Sequence, residues 1–286
     1  MAEFDDIFES EPKEKSSFNK EEWIKQQQEN RTMAYEMLES ATEEIKNPDI
    51  FMSYLDVQSR FDRYSVSNAL LVAYQMPEAT RLCDSKTWRE HKVFIQKGER
   101  GIIILEPGKE FKRQDGTVGV NYNAKKVFDV SQTTSKRKTV EPMKYNEKAL
   151  VKALVKTSPV PVEISSDMHI DTSAIYRPDK KCILIRQGMP GDEIFRSLSK
   201  EIAHARLDNG DYSRDKCELA ASAISFIACE KVGIEPYRIE SDKGLFDGME
   251  PKDIRSELST IRNEANSISL SIMKTIDART KNADAR

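Results

Sequence analysis

Residues 197–204, which read Ser-Leu-Ser-Lys-Glu-Ile-Ala-His, decide the fold of this 286-residue chain. The stretch lies in a segment whose apolar residues recur at spacings of three and four, which predicts an amphipathic helix. Residues four apart on a helix share a face, so Lys200 and His204 lie side by side, with Glu201 between them in the sequence. Glu218 follows 14 residues after the histidine. If the helix that carries Glu218 crosses this one, Lys200, His204 and Glu218 converge.

The two helices have predictable limits and core faces. Asp192 is the expected N-cap of the first, because an Asp side chain accepts hydrogen bonds from the free backbone N–H groups of a helix start. Phe195, Leu198 and Ile202 form its apolar stripe. The second helix, residues 217–232, is apolar on most faces and is predicted to end at the glycine that follows it. It is therefore expected to be the core helix of its domain.

The spacing of Lys200, Glu201 and His204 is that of the H-E-x-x-H motif. In that motif two histidines at i and i+4 bind one zinc ion, and the glutamate is the general base. Here a lysine stands where the first histidine would be, and a charged ammonium has no lone pair to give a metal. Glu201 keeps the position of the base and His204 that of the second ligand. The pattern indicates a metallopeptidase scaffold whose catalytic site is degenerate.

The second helix supports this interpretation. Residues 218–225, Glu-Leu-Ala-Ala-Ser-Ala-Ile-Ser, resemble the E-x-x-A-N-x-F-A helix of metallopeptidase-like domains of the ImmA/IrrE type. In those domains the glutamate is the third metal ligand, which the resemblance assigns to Glu218. Each piece alone is also an ordinary helix pattern, and it is the pair in this order that favours a zincin-like domain.

The sequence leaves one alternative to a site without a cofactor. A zinc ion bound by His204 and Glu218 would need a third protein ligand in place of the lysine. Asp208, Asp211 and His169 are the candidates. An active zinc peptidase with a non-standard ligand set therefore stays open as the alternative function.

Lys200 itself is expected to take over part of the metal's electrostatic role. A cluster of buried carboxylates without a cation is costly, so we predict that Lys200 pairs with Glu218 or Glu201. Changing Lys200 to histidine should then raise the affinity for zinc. An unchanged zinc content in that variant would contradict the hypothesis.

The composition describes a water-soluble chain with much solvated helix, 38% hydrophobic and 33% charged. No apolar run approaches the roughly 18 residues of a membrane span. The N-terminus is acidic and lacks the apolar segment of a secretory signal. Cys83, Cys182, Cys217 and Cys229 lie far apart, which favours free thiols in a reducing compartment. We expect a cytoplasmic protein that does not associate with membranes.

The middle of the chain is its only basic block. Residues 51–140 carry 16 basic and 10 acidic side chains, a net charge of +6, within a chain whose net charge is −3. Residues 49–75 read as two helices, and strands are predicted at 92–95, at 101–105 up to Pro107-Gly108, and at 122–130. A basic segment suits a polyanionic partner, although a solvated basic face without a ligand is the simpler explanation of charge alone.

Separate short stretches of this segment form a recognisable series: 64–71 (YSVSNALL), 75–80 (QMPEAT), Trp88, Val93, 97–102 (KGERGI) and 127–133 (VFDVSQT). Together they resemble the N-terminal domain of ArdC-type antirestriction proteins and their LtrC-like relatives. The resemblance covers about residues 50–134, and about 145–235 for the metallopeptidase-like domain. It implies a single-stranded DNA-binding module fused to a zincin-like module, carried on mobile elements such as conjugative plasmids and transposons.

The residue types of this module suit single-stranded DNA, which proteins hold with basic side chains on phosphates and aromatic faces under bases. Aromatic residues such as Trp88 and Phe94 are more often core residues than stacking platforms, and Lys97 belongs first to a predicted hairpin turn. Asn68 could contact a nucleotide with Tyr64 or brace the domain. The candidate contacts are Arg60, Arg63, Tyr64, Asn68, Lys86, Trp88, Arg89, Lys92, Phe94, Lys97, Arg100, Tyr122, Lys125 and Lys126.

The predicted fold class is α+β: a small antiparallel-sheet module, then a mostly helical zincin-like domain and a long C-terminal helix. In that helix, which begins at Pro251 and is predicted to end near Ala278, apolar residues recur at spacings of three and four. It is expected to dock on the metallopeptidase-like domain or, failing that, to form a dimer. The predicted units are a disordered tail at 1–18, the DNA-binding domain with its N-terminal helix at 19–134, a linker at 135–146, the metallopeptidase-like domain at 147–240 and the C-terminal loop and helix at 241–286.

The favoured function is non-catalytic binding of single-stranded DNA in the biology of a mobile element. The expected partners are single-stranded DNA and a restriction or conjugation protein. Lys200 argues against the rival function, an active zinc peptidase. A weaker third interpretation is a protein-interaction scaffold in which both modules have lost their activities.

Overall fold

The computed structural model describes residues 20–112, 115–135, 145–240 and 245–284. The predicted tail at 1–18 and all but the ends of the predicted linker at 135–146 lie outside these ranges. No helix in the described ranges is long and apolar enough to cross a membrane.

Three helices open the described chain: α1 (Lys20–Glu44), α2 (Pro48–Arg60) and α3 (Val66–Gln75). Side chains fix where the two shorter ones begin. Asn47 accepts a hydrogen bond from the N–H of the second residue of α2 at 2.9 Å, and Ser65 accepts one from the third residue of α3 at 3.3 Å. The predicted helical pair over residues 49–75 is therefore confirmed.

A three-stranded antiparallel sheet follows, with β1 (Leu82–Cys83), β2 (Ile102–Lys112) and β3 (Val118–Asp129) in the order β1-β3-β2. Helix α4 (Ser85–Glu90) lies between the first two strands in the sequence. Because β1 pairs only with the end of β3, the outer part of the β2–β3 hairpin is a two-stranded ribbon.

Two details of the predicted sheet are wrong. Residues 92–95 form no strand but a single bridge, between Ile95 and Thr133, because Lys92 adopts a positive φ of 58° that interrupts extended backbone. Pro107 does not end β2, which continues through a bulge to Lys112. Proline is tolerated there because β2 is an edge strand and the irregularity lies beside it.

The stretch 127–133 connects this sheet to the loops around it through Asp129, which is 1% exposed. One carboxylate oxygen accepts hydrogen bonds from the backbone N–H groups of Thr80 and Arg81, both at 2.7 Å, and the other accepts one from Ser131 at 2.9 Å. Gln132 accepts from the Asp129 N–H at 2.9 Å and donates to the Arg100 carbonyl at 2.8 Å. Three of the stretches that carry the family resemblance, 75–80, 97–102 and 127–133, are thus joined by structural hydrogen bonds.

The second half begins with α5 (Glu147–Val155) and a small sheet of β4 (Val162–Ser165), β5 (Ala174–Arg177) and β6 (Cys182–Arg186). Its order is β4-β6-β5, with β4 parallel and β5 antiparallel to the central strand. Strand β5 lies against the helix that carries residues 197–204.

That helix is α6 (Gly191–Leu207), and α7 (Arg214–Val232) packs beside it. Asp192 does not cap α6, because the helix starts one residue earlier with Pro190 at the cap position, and Asp192 instead pairs with Arg196 at 2.7 Å. Helix α7 ends as predicted at a glycine, which has a positive φ of 73°.

The last helix, α8 (Pro251–Asp284), is longer than predicted and buries its apolar stripe on the rest of the chain. It contacts α5 and α7 of the second half and also α1 and α3 of the first. One continuous cluster of buried apolar side chains runs from α1 to α8. The α+β fold class, with its small antiparallel sheet and long C-terminal helix, is confirmed.

Candidate functional site

A cleft of about 430 Å³ opens between α1, the start of α3 and the β2–β3 ribbon. Its walls combine tyrosine rings with one arginine and several small polar side chains. The lining residues are Tyr35, Leu38, Arg63, Tyr64, Ser65, Ser67, Asn68, Leu105, Pro107 and Tyr122.

Three tyrosines line the cleft, one each from α1, from β3 and from the loop between α2 and α3. Tyr122 of β3 is 41% exposed and Tyr35 of α1 is 37% exposed. Tyr64 is half-buried and stacks on Phe61, with ring centroids 5.4 Å apart and planes 27° apart. Arg63 is exposed at the same cleft. Aromatic faces beside a cation are the groups that hold an unpaired base and its phosphate.

Asn68 lines this cleft, but its amide is already used within the fold. Its Nδ2 donates to the Leu105 carbonyl at 2.8 Å, and its Oδ1 accepts from the Leu105 N–H at 2.8 Å. Gln75, two turns further along α3, makes the same pair of bonds with Ile103, both at 2.9 Å. The two amides pair with β2 along its free edge, so Asn68 braces the sheet, which is the alternative that the sequence left open, and its predicted contact with nucleic acid stays a prediction.

Changing Asn68 to alanine should therefore act on stability first. The variant leaves the N–H and C=O of Leu105 without their partner, and we expect the free energy of unfolding to fall by about 1–3 kcal/mol. Urea unfolding followed by circular dichroism measures it. A variant as stable as the wild type would show that the two hydrogen bonds contribute nothing.

Trp88 is a core residue and not a stacking platform. It is 2% exposed, its indole N–H donates to the Phe128 carbonyl at 2.9 Å, and the Arg81 guanidinium lies over its ring at 5.6 Å. Phe94, the other aromatic for which a core position was the alternative, is 57% exposed but does not line the cleft.

The predicted basic contacts separate into two groups. Arg60 pairs with Asp56 at 2.7 Å, and Lys125 pairs with Asp84 at 3.0 Å and with Glu106 at 3.1 Å, so these two cations are engaged within the fold. Of the other predicted basic contacts, only Arg63 lines the cleft. All of them are exposed: Arg63, Lys86, Arg89, Lys92, Lys97, Arg100 and Lys126.

The pairing of Asp84 with Lys125 predicts a pH dependence. The Thr87 backbone N–H, the Lys125 ammonium and the Thr87 hydroxyl lower the pKa of Asp84 to about 2. Because the folded pKa lies below the ordinary value of about 3.9, the stabilisation is complete above about pH 4 and is lost as the pH falls towards 2. Changing Asp84 to asparagine should make the free energy of unfolding vary less with pH as the pH falls from about 4 towards 2. Parallel curves from urea titrations of the two proteins would contradict it.

The predicted convergence of α6 and α7 is present at the degenerate metal site. The Lys200 ammonium donates to one oxygen of Glu218, and His204 Nε2 lies 3.2 Å from the other. A carboxylate only accepts, so Nε2 donates to it, and Nδ1 lies 3.0 Å from the Tyr212 hydroxyl. The hydrogen bond from His204 is the largest cause of a lowered pKa at Glu218. Burial opposes it and the Lys200 ammonium adds to it, and the resulting pKa is about 2.

Glu201, at the general-base position, is held by a residue that the sequence analysis missed. Its side chain is 4% exposed and accepts two hydrogen bonds from Arg214, at 2.6 and 3.0 Å, and one from the Tyr176 N–H at 2.7 Å. Arg214 lies four residues before Glu218 on α7, so the same i, i+4 rule that places Lys200 beside His204 could have identified it.

The residues present do not fit a metal ion. Lys200 is a cation, the Nε2 lone pair of His204 carries a proton, and no group of three His, Cys, Asp or Glu side chains able to hold a metal occurs among residues 20–112, 115–135, 145–240 and 245–284. The proposed third ligands do not complete a site either. Asp208 accepts from Tyr176 and Lys181, at 2.6 and 2.8 Å, and neither His169 nor Asp211 joins such a group.

No family model and no curated protein matches the sequence. Solved structures do match. The metal-free crystal structure of the antirestriction protein ArdC from the R388 plasmid has a TM-score of 0.54 at 16% identity, covering 74% of this chain and 86% of that one. The fold is ArdC-like.

The Mn(II)-bound structure of the same plasmid protein gives a similar result, with a TM-score of 0.52 at 14% identity over 84% of this chain and 97% of that one. At such low identity the likeness concerns the fold. The resemblance found in the sequence is confirmed to that extent, and its LtrC-like part stays a prediction.

Proposed function

We propose that this chain is a single-stranded DNA-binding protein of a mobile genetic element that acts in antirestriction, with a peptidase-like half that is not an enzyme. The observation that carries the proposal is the cleft formed by Tyr35, Tyr64, Tyr122 and Arg63. The ArdC-like fold of the chain supports a role in antirestriction, because the structurally similar R388 plasmid protein is described as an antirestriction protein.

The cleft favours a single strand over a duplex for a chemical reason. A base in a duplex is already stacked on its neighbours, whereas an unpaired base presents both faces, and each base stacked on an aromatic side chain contributes about 1–3 kcal/mol. Tyr35 and Tyr122 offer exposed rings, and Arg63 offers a charge to the adjoining phosphate. The exposed basic residues outside the cleft extend the electrostatic attraction without adding base contacts.

The peptidase-like half is proposed to act as a scaffold. Lys200 stands at a ligand position, and the Glu201 carboxylate that would serve as a base is bound by Arg214 and the Tyr176 N–H. This half is then available for contact with a protein of the restriction or conjugation machinery.

The proposal is tested by fluorescence anisotropy of labelled single-stranded and duplex oligonucleotides with the full chain. We expect tighter binding of the single strand and an affinity that falls with salt. Changing Arg63 to glutamine should weaken binding and, if one phosphate contact is lost, reduce the slope of log K against log salt by about 0.7.

Lys216→Gln is the matched control, because it removes one exposed positive charge from α7 instead of from the cleft. It should bind DNA as the wild type does. Equal affinity for duplex and single strand, or equal losses from the two variants, would contradict a single-strand site at the cleft.

A further inference from the structure

The positive and negative side chains around the degenerate metal site are equal in number. Lys200 and Arg214 contribute two positive charges, and Glu201 and Glu218 contribute two negative ones, so each carboxylate is matched by one cation. An H-E-x-x-H site with a glutamate as third ligand contains the same two carboxylates and two neutral histidines. A divalent ion balances that site in the same way.

We infer that Lys200 and Arg214 together replace the charge of a divalent metal ion. This goes beyond the proposed function, in which the lysine at a ligand position is enough to abolish a metal site, and it does not depend on DNA binding.

The contacts divide the work between the two cations. Lys200 donates to one oxygen of Glu218, while Arg214 binds both oxygens of Glu201 and holds its Nε 3.9 Å from the other oxygen of Glu218. Each carboxylate therefore has its own cation, and Arg214 bridges the two. The Glu201 side chain is only 4% exposed, and a buried carboxylate that loses its partner is strongly unfavourable, so Arg214 is required while the site lacks a metal. Glu218 is 43% exposed, and Lys200 neutralises it at the more open side of the site.

A consequence is that restoring a histidine at position 200 does not by itself restore the charge balance. A divalent ion between His204 and Glu218 would lie close to the Arg214 guanidinium, which is positively charged at every accessible pH. Even with the dielectric constant of water, a doubly charged ion about 6 Å from a single charge is repelled enough to change its affinity about tenfold. Arg214 is thus inferred to be the second barrier to metal binding.

Isothermal titration of the full-length chain with MnCl₂ tests this inference. Lys200→His should bind Mn(II) weakly, and the double variant Lys200→His/Arg214→Gln should bind it at least about tenfold more tightly. Lys200→His/Lys216→Gln removes a charge of the same sign from the exposed face of α7 and should match Lys200→His within about threefold.

A further variant guards against a double variant that does not fold. The variant is Lys200→His/Glu201→Gln/Arg214→Gln, in which the removed charges of Glu201 and Arg214 cancel and no buried carboxylate is left unpaired. Its Mn(II) affinity should lie within about threefold of that of Lys200→His. A folded double variant that binds no tighter than Lys200→His, or a triple variant that differs from it by tenfold or more, would overturn the inference.

Discussion

Replacement of Asp129 by alanine is expected to lower the free energy of unfolding by about 3–5 kcal/mol. The buried carboxylate accepts hydrogen bonds from the backbone N–H groups of Thr80, Arg81 and Ser131, and alanine leaves all three without a partner. Hydrogen bonds to a charged group contribute about 1.5–3 kcal/mol each, and the sum is reduced because the three act as a unit. Urea unfolding at neutral pH measures the effect.

Asp115→Ala is the control for this experiment. Asp115 also accepts from a nearby N–H, that of Thr117 at 2.9 Å, but it lies exposed in the turn between β2 and β3. Water can replace a hydrogen bond lost there, so the change should stay within about 0.5 kcal/mol. If Asp129→Ala cost no more than Asp115→Ala, the role assigned to Asp129 would be wrong.

The second large effect concerns DNA. Changing Tyr35 and Tyr122 together to alanine should weaken binding of a single-stranded oligonucleotide by about 2–6 kcal/mol, because each ring can stack one base at about 1–3 kcal/mol. Both rings are exposed at the cleft, so their loss should leave the fold intact. Tyr64 is omitted, since it stacks on Phe61 and its removal would also disturb packing.

Phe94→Ala provides the comparison, because this ring is exposed but lies outside the cleft. Its affinity for the oligonucleotide should equal that of the wild type. Anisotropy at a single salt concentration, with circular dichroism as the check on folding, compares the three proteins. A loss for Phe94→Ala as large as that for the tyrosine variant would move the binding surface away from the cleft.

Patterns that repeat along the chain predicted most of the fold. Helical periodicity found α2, α3, α6 and α8 because each of them buries a stripe that recurs every three or four residues. Helix α7 was predicted as a core helix because it is apolar on most faces. The strand predicted at 92–95 failed for a local reason: an apolar run of three residues does not reveal that Lys92, which precedes it, takes a positive φ.

The sites were harder to predict because they are assembled from distant parts of the chain. The cleft brings Tyr35 of the first helix to Tyr122 of β3, and no spacing rule connects those positions. Trp88 and Asn68 belong to stretches that carry the family resemblance, yet the structure uses both inside the fold. A resemblance marks residues that matter without distinguishing binding from bracing.

The degenerate metal site shows the opposite case. Helical spacing placed Lys200 beside His204, the resemblance of the next helix added Glu218, and the three side chains meet as expected. Arg214 was overlooked because it occupies no position of the H-E-x-x-H motif, although it stands one turn before Glu218. The missing information was electrostatic: two carboxylates require two charges, and the motif supplied only one.

Photo-crosslinking tests the single-strand site most directly. The full chain would be irradiated with a single-stranded oligonucleotide that carries 5-iodouracil, and the crosslinked peptides would be identified by mass spectrometry. Crosslinks at Tyr35, Tyr64 or Tyr122 are the predicted result. Crosslinks confined to aromatic residues outside the cleft, such as Phe94 or Tyr237, would contradict the proposed site.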